Sequence, residues 1–301
     1  RFNLAILLSP VYGVIRATAI PTTLTAMLGV VMTEYEKYLF DLNGYLVIED
    51  LLSKELVASL NGAIDHHMDP DAPLAETGLN SGSQQLSGTH GRQTFGGSLD
   101  WPAPWSPPFR ELMALPETLR YMVDTIGDDL RFEGLTGITN TQGSEGQILH
   151  GGGVGHQADL EQGFFHRVEQ GRIRNGEMAI AYLLSDVNPG DGGFCCIPGS
   201  HKANFFCSWE MRRMEVGAEF VRQVPAKAGS AILFTEALTH GALPWTAAHQ
   251  RRIIIMRYGP GIMAFTPPAP PETLAELSAL SPLHEALLKP PSFPERTHFP
   301  T

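Results

Sequence analysis

Met178-Ala179-Ile180-Ala181-Tyr182-Leu183-Leu184 is an apolar run of strand length, and Asn188-Pro189-Gly190-Asp191-Gly192 follows it closely. Gly193-Phe194-Cys195-Cys196-Ile197 comes next and is closed by Pro198-Gly199. Proline presets φ and glycine supplies left-handed backbone, so each punctuation mark reads as a turn between strands. The same pattern extends outward, with strands expected at 130–139, 147–150, 221–224, 230–234 and 252–258 and turns at Asn175-Gly176 and Lys227-Ala228-Gly229. Many short strands without alternating helices indicate a barrel or a double-sheet jelly roll, not βαβ units.

Helices are expected around this β core. Residues 34–42 suit one that stops at Asn43-Gly44, and 45–48 form a strand. Ser53 caps a helix over 55–67 whose Leu56, Leu60 and Ile64 share a face, while His66 and His67 read as surface residues favoured by the helix dipole. Residues 68–110 are loop-rich; Trp101 and Trp105 there suit a pocket wall and core packing equally. A helix is expected over 116–126, and one more over 272–288 across the outside of the barrel. No internal repeat is present. Residues 1–31 contain Arg1 and Arg16 but no acidic residue, and read as a leader: a transit peptide, a fragment, or a non-native extension before Met32. Pro21 and the threonines around it interrupt any membrane anchor there. Residues 32–301 are read as one domain.

Composition narrows the function. The 301 residues are 43% hydrophobic and 18% charged, which suits a globular chain, and the net charge of −11 offers no basic stripe for nucleic acid. Cys195, Cys196 and Cys207 cannot all pair internally and show no CxxC spacing, so a reducing compartment is the simpler expectation and a cysteine zinc site is not. The expected location is the cytoplasm, or an organelle if residues 1–31 are a transit peptide, with no membrane contact for the domain.

Two glycine-flanked histidines carry the chemistry. They stand in Gln147-Ile148-Leu149-His150-Gly151-Gly152-Gly153 and, ninety residues later, in Leu238-Thr239-His240-Gly241. On a strand, residues i and i+2 face one side about 6.6 Å apart, so a His-x-Asp pair and a distant histidine make the two-histidine, one-carboxylate site of non-haem iron(II) enzymes. Gly152 occupies the carboxylate position. Eleven residues after His240, Arg251 is placed to hold an acidic co-substrate. Among other readings, His150-Gly151-Gly152-Gly153 also matches a lipase oxyanion loop, but no serine is flanked by glycines at both −2 and +2, and no HExxH is present. Two ordinary core histidines are the plain alternative.

The segments Leu183-Leu184-Ser185-Asp186-Val187-Asn188-Pro189-Gly190-Asp191-Gly192-Gly193-Phe194, Ile197-Pro198-Gly199-Ser200-His201-Lys202 and Phe40-Asp41-Leu42-Asn43-Gly44-Tyr45-Leu46-Val47-Ile48 resemble the phytanoyl-CoA dioxygenase family. The similarity runs from about Tyr35 to Gly259. It implies a cupin-like double-stranded β-helix that uses iron(II), 2-oxoglutarate and dioxygen. It also implies His150 and His240 as metal ligands and Arg251, with Arg252 as the stand-in, for the far carboxylate of 2-oxoglutarate. His201 is structural in this resemblance.

Gly152 departs from the family pattern, and four outcomes follow. The site resembles iron/2-oxoglutarate halogenases, with chloride beside Gly152; or another carboxylate completes it; or His156 makes a third histidine; or the chain keeps the fold as an inactive binding protein. Asp159 is the expected substitute carboxylate, because Glu236 lies four residues from His240, ~13 Å away on an extended strand. The expected function is oxidation of a C–H bond in a small molecule, by hydroxylation or halogenation. Arg167, Arg172 and Arg174 raise the expectation of an anionic substrate.

Overall fold

The computed structural model describes residues 32–69, 78–152 and 164–292. The leader assigned to residues 1–31 lies outside them, as do Asp159 and His156. The Met178–Leu183 run forms β7 inside a six-stranded antiparallel sheet of order β1-β10-β7-β12-β3-β2. Its companions are β1 (Tyr45–Ile48), β10 (Ala231–Thr235), β12 (Arg251–Pro260), β3 (Leu130–Asn140) and β2 (Gln93–Phe95). Both faces of β7 are covered, which explains the missing polar alternation. Ala179, Ala181 and Leu183 pack inward with Phe194, Phe234 and Ile253. Met178, Ile180 and Tyr182 pack outward against helices.

A second antiparallel sheet, β4-β11-β8-β9, faces that inner surface. It comprises β4 (Gln147–His150), β11 (His240–Leu243), β8 (Gly193–Cys196) and β9 (Arg222–Gln223). This is the jelly roll expected from the turn pattern. The outer face of the large sheet is sealed by α1 (Glu34–Asn43), α2 (Lys54–His67), α3 (Pro107–Met113), α4 (Pro116–Thr125), α6 (Pro271–Ser278) and α7 (Pro282–Leu288); α5 (Trp209–Arg212) is a single turn lying against β4. Buried hydroxyls at the helix face find partners, as they must: Tyr182 Oη lies 2.8 Å from Thr118 Oγ1, and Tyr258 donates to Met113 O at 2.8 Å.

Several expectations need correction. The tail carries two helices, not one over 272–288, because Ser281 caps and Pro282 opens a new helix there. His66 is exposed in the last turn of its helix as expected, while His67 is half-buried; His66 stacks on Trp105 and His67 on Trp101, with ring centroids 4.3 and 3.9 Å apart. Both tryptophans pack against the core, and Trp105 also lines a hollow of about 640 Å³. A hairpin of β5 (His166–Glu169) and β6 (Arg172–Asn175) was not anticipated; its turn, Gln170-Gly171, has positive φ at both residues, as a two-residue hairpin favours. All three cysteines are free.

One turn is set by sterics at the end of α1. Thr33 and Glu36 form a capping box at its start, and Gly44 ends it at φ 81 with its N–H donating to Phe40 O at 2.7 Å. A Cβ on Gly44 would overlap the buried His201 ring. Left-handed backbone and overpacking each cost roughly 1–3 kcal/mol, so Gly44→Ala is expected to lower stability by about 3 kcal/mol in urea unfolding. A loss below about 0.5 kcal/mol would show that the packing around His201 gives way freely.

Candidate metal and co-substrate site

The two histidines are cross-strand partners. His240 on β11 lies directly opposite His150 on β4, so both side chains leave the sheet on one face. Their ring centroids are 4.3 Å apart. His150 Nδ1 lies 2.9 Å from Ile148 O and His240 Nδ1 lies 2.8 Å from Leu238 O. A carbonyl only accepts, so each Nδ1 carries the proton and each Nε2 keeps its lone pair, the form in which histidine binds a metal. Burial and the neighbouring His240 push His150 down to about 3, and burial lowers His240 despite Glu236. Both imidazoles are therefore neutral near pH 7.

They open on a cavity of about 100 Å³ whose other walls include Phe194, Phe234, Gln147, Arg92, Arg251 and Arg257. Larger hollows exist, one of about 650 Å³, but that one lies between α1, α4 and the β5–β6 hairpin and gathers charges of both signs without a histidine. The small cavity is the one that brings His150, His240 and Arg251 together.

β12 decides between the two arginines. Arg251 points inward, is 5% exposed, and donates from Nη1 to Asn140 Oδ1 at 2.9 Å. Its Nε has no hydrogen-bond partner among the described residues, an unusual state for a buried polar atom that suits an anionic guest. Burial, then nearby Arg92, pulls Arg251 down to about 10, so it stays charged. Arg252 points to the opposite face and binds Asp65 at 2.5 Å and Gln250 at 2.6 Å. Strand alternation separates the neighbours, and Arg252 cannot reach the cavity from there.

Gly152 is elsewhere too. The strand ends at His150, Gly151 and Gly152 have φ of 90 and 70, and the Gly152 N–H donates to Glu236 O at 2.8 Å. The i, i+2 rule used for position 152 stops where the strand stops. Gly152 lines a separate hollow of about 230 Å³ with Phe164, His166, Ser200 and Thr239. His201 borders the same hollow, with Nε2 3.0 Å from Asp41 O, and burial lowers it to about 4. Arg172 and Arg174 face the 650 Å³ hollow instead; Arg174 is tied to Ile126 O at 3.1 Å, and Arg167 lies over Phe165. The hairpin holds these arginines away from the histidines.

Glu236 lies far closer to His240 than the ~13 Å of an extended chain. A turn closed by Leu238 N–H to Thr235 O at 2.9 Å folds the chain back, and Glu236 Oε2 lies 3.7 Å from His240 Nε2. Its Oε1 accepts from Arg257 Nε at 3.0 Å. Burial raises the Glu236 pKa, but the net shift is downward, led by the charge of the Arg257 guanidinium and its hydrogen bond, so this carboxylate is ionised. Burial and the Glu236 charge instead push Glu177 up to about 8, so Glu177 carries the proton. Arg257 sits six residues after Arg251, an even spacing that could have placed both on one face of the strand. Among the described residues no three His, Cys, Asp or Glu side chains already converge on a point that would hold an ion.

A jelly roll with two neutral histidines and a buried arginine around one cavity defines a class of metal-dependent oxygenase folds. The family model described as phytanoyl-CoA dioxygenase (PhyH) matches residues 40–253, and the chain belongs to that family. The family uses iron(II), 2-oxoglutarate and dioxygen. No curated protein matches the chain. Solved structures do: HygX from Streptomyces hygroscopicus with nickel and 2-oxoglutarate is 24% identical over 78% of this chain and 89% of that one, with a TM-score of 0.63. A second HygX structure holding nickel, 2-oxoglutarate and hygromycin B is 24% identical over 77% and 89%, with a TM-score of 0.62. SnoK, a non-haem α-ketoglutarate-dependent carbocyclase from nogalamycin biosynthesis, is 17% identical over 83% and 91%, with a TM-score of 0.56. At these identities the likeness shows the fold.

Proposed function

We propose that the chain is a non-haem iron(II)- and 2-oxoglutarate-dependent oxidoreductase that hydroxylates a C–H bond of a small molecule. The observation that carries this reading is the shared cavity: two histidines with free Nε2 atoms beside Arg251, whose buried Nε lacks a partner. His150 and His240 would hold the metal, and Arg251 would take the far carboxylate of 2-oxoglutarate in a charge-assisted contact. Bound iron and 2-oxoglutarate, with dioxygen, supply the oxidant. Asn140 fixes the Arg251 fork, and Phe194 and Phe234 pack against the His240 ring and keep water from it. Hygromycin B in HygX supports a small-molecule substrate.

Hydroxylation is favoured over halogenation because Gly152 lines a different hollow from the histidines, so a halide beside it would not face them. Anaerobic addition of ferrous ion and 2-oxoglutarate is expected to give the visible charge-transfer band of the chelate. No band from folded protein would leave the inactive binding module standing. Product mass spectra with chloride exchanged for bromide test the rest, since a bromine isotope pattern would replace hydroxylation with halogenation.

A further inference from the structure

We infer that Glu236 supplies the carboxylate of the metal centre, in the role that position 152 leaves unfilled. This rests on the iron reading above and adds the identity of the third ligand. Glu236 enters from the turn before β11, so the carboxylate and His240 come from one short segment, and His150 comes from the strand paired with it.

Geometry is the first support. Two donors each about 2.1 Å from one ion and about 3.7 Å apart subtend roughly 120° at it. The Nε2–Oε2 separation of 3.7 Å between His240 and Glu236 is of that kind. A facial site sets adjacent donors about 3.0 Å apart, so a side-chain movement of roughly 0.7 Å brings the His240 and Glu236 donors to that separation. His150 must also close on the carboxylate, since no ready-made cluster of three stands among the described residues.

The outer oxygen gives the second support. Arg257 Nε holds Oε1 at 3.0 Å and leaves Oε2 on the side of His240. An outer partner that orients a ligating carboxylate is a regular part of metal sites. Only 6% of the Glu236 side chain is exposed, so its direction is set by the protein and not by solvent.

The glycines give the third. A Cβ on Gly151 would stand 2.7 Å from Glu236 O and 3.0 Å from His240 Nδ1, and one on Gly152 would stand 3.1 Å from Ala237 O. Glycine after His150 is thus what lets the Glu236 turn approach β4, and the Gly152 N–H bond to Glu236 O fastens the two. Loss of a side chain at 152 and arrival of Glu236 are one arrangement. The competing account is that Glu236 serves only as counter-ion to Arg257.

Cobalt(II) titration of full-length wild type and Glu236→Gln, anaerobically and followed by calorimetry and the visible d–d spectrum, separates the two. Gln keeps the oxygen that Arg257 uses. If Glu236 is a ligand, the variant binds cobalt at least about thirtyfold more weakly and with a changed spectrum. Equal affinity and an unchanged spectrum overturn the assignment while leaving the two-histidine reading intact. A wild type that binds no cobalt overturns both. If the variant fails to fold, a crystal structure of wild type with manganese(II) decides: a Glu236 oxygen within about 2.3 Å of the ion supports the assignment, and a carboxylate left on Arg257 without metal contact overturns it.

Discussion

Arg251→Met is expected to weaken 2-oxoglutarate binding by about two to three orders of magnitude, since losing one partner of a buried charge-assisted pair costs roughly 2–5 kcal/mol. The free protein sheds a desolvated charge but loses the Arg251 bond to buried Asn140, so its stability should change by no more than about 2 kcal/mol. Arg251 is buried with an unpaired Nε, so removing it also removes a desolvated charge. Arg252→Met is the matched control. Its guanidinium faces Asp65 outside the cavity, so affinity should stay within about twofold of wild type while the lost ion pair costs up to about 1 kcal/mol. Anaerobic calorimetry with the metal-loaded protein measures both. Equal weakening by the two variants would mean that strand alternation on β12 does not decide which arginine reads the co-substrate.

His240→Ala and His150→Ala are expected to lose ferrous binding by at least about a thousandfold each, beyond the 10–100-fold that loss of an outer partner costs. Succinate release from 2-oxoglutarate should fall to background in both. Among the described residues neither ring makes a side-chain hydrogen bond to another element; each bonds a carbonyl two residues back on its own segment. Folding should therefore survive, with a cavity penalty below that of an apolar core truncation, about 2–3 kcal/mol. Metal content after reconstitution, read together with circular dichroism, checks this. A folded alanine variant that retains stoichiometric iron would remove that histidine from the ligand set.

Much of this was legible in the sequence because it is written locally. Strand bounds came within about two residues for β4, β7, β8 and β10, since turn chemistry at 188–192 and 198–199 marks their ends. His150, His240 and Arg251 stand out in the sequence through two glycine-bearing motifs and an eleven-residue offset, and the structure lines one cavity with all three. What failed depended on where a strand stops. The period-two rule was carried past His150 to Gly152, and full extension was assumed from Glu236 to His240; both segments turn. Nothing local announces the Thr235–Leu238 turn, which forms because Gly151 and Gly152 admit it. Arg252 stays open as a stand-in for Arg251 in the sequence because β12 is apolar on both faces, and a doubly buried strand gives no alternation to read. The Ser281-Pro282 helix start and the Gln170-Gly171 hairpin did carry signals that the sequence reading passed over.

The pairing of His150 with His240 across the β4–β11 ladder has a consequence for how the protein comes apart. An ion held by both rings is a clasp across a seam between two segments ninety residues apart in the chain. With such an ion bound the seam would not open without releasing it, so loading the site and closing this sheet would be a single equilibrium. At an ion concentration about a hundred times the dissociation constant, the clasp adds about 2.7 kcal/mol to the folded state. Amide protons of β4 and β11 should then exchange with solvent far more slowly, while those of the helix-backed sheet, sealed on its own account, should change little. Iron would act in this chain as a late-formed structural bond as well as a reagent.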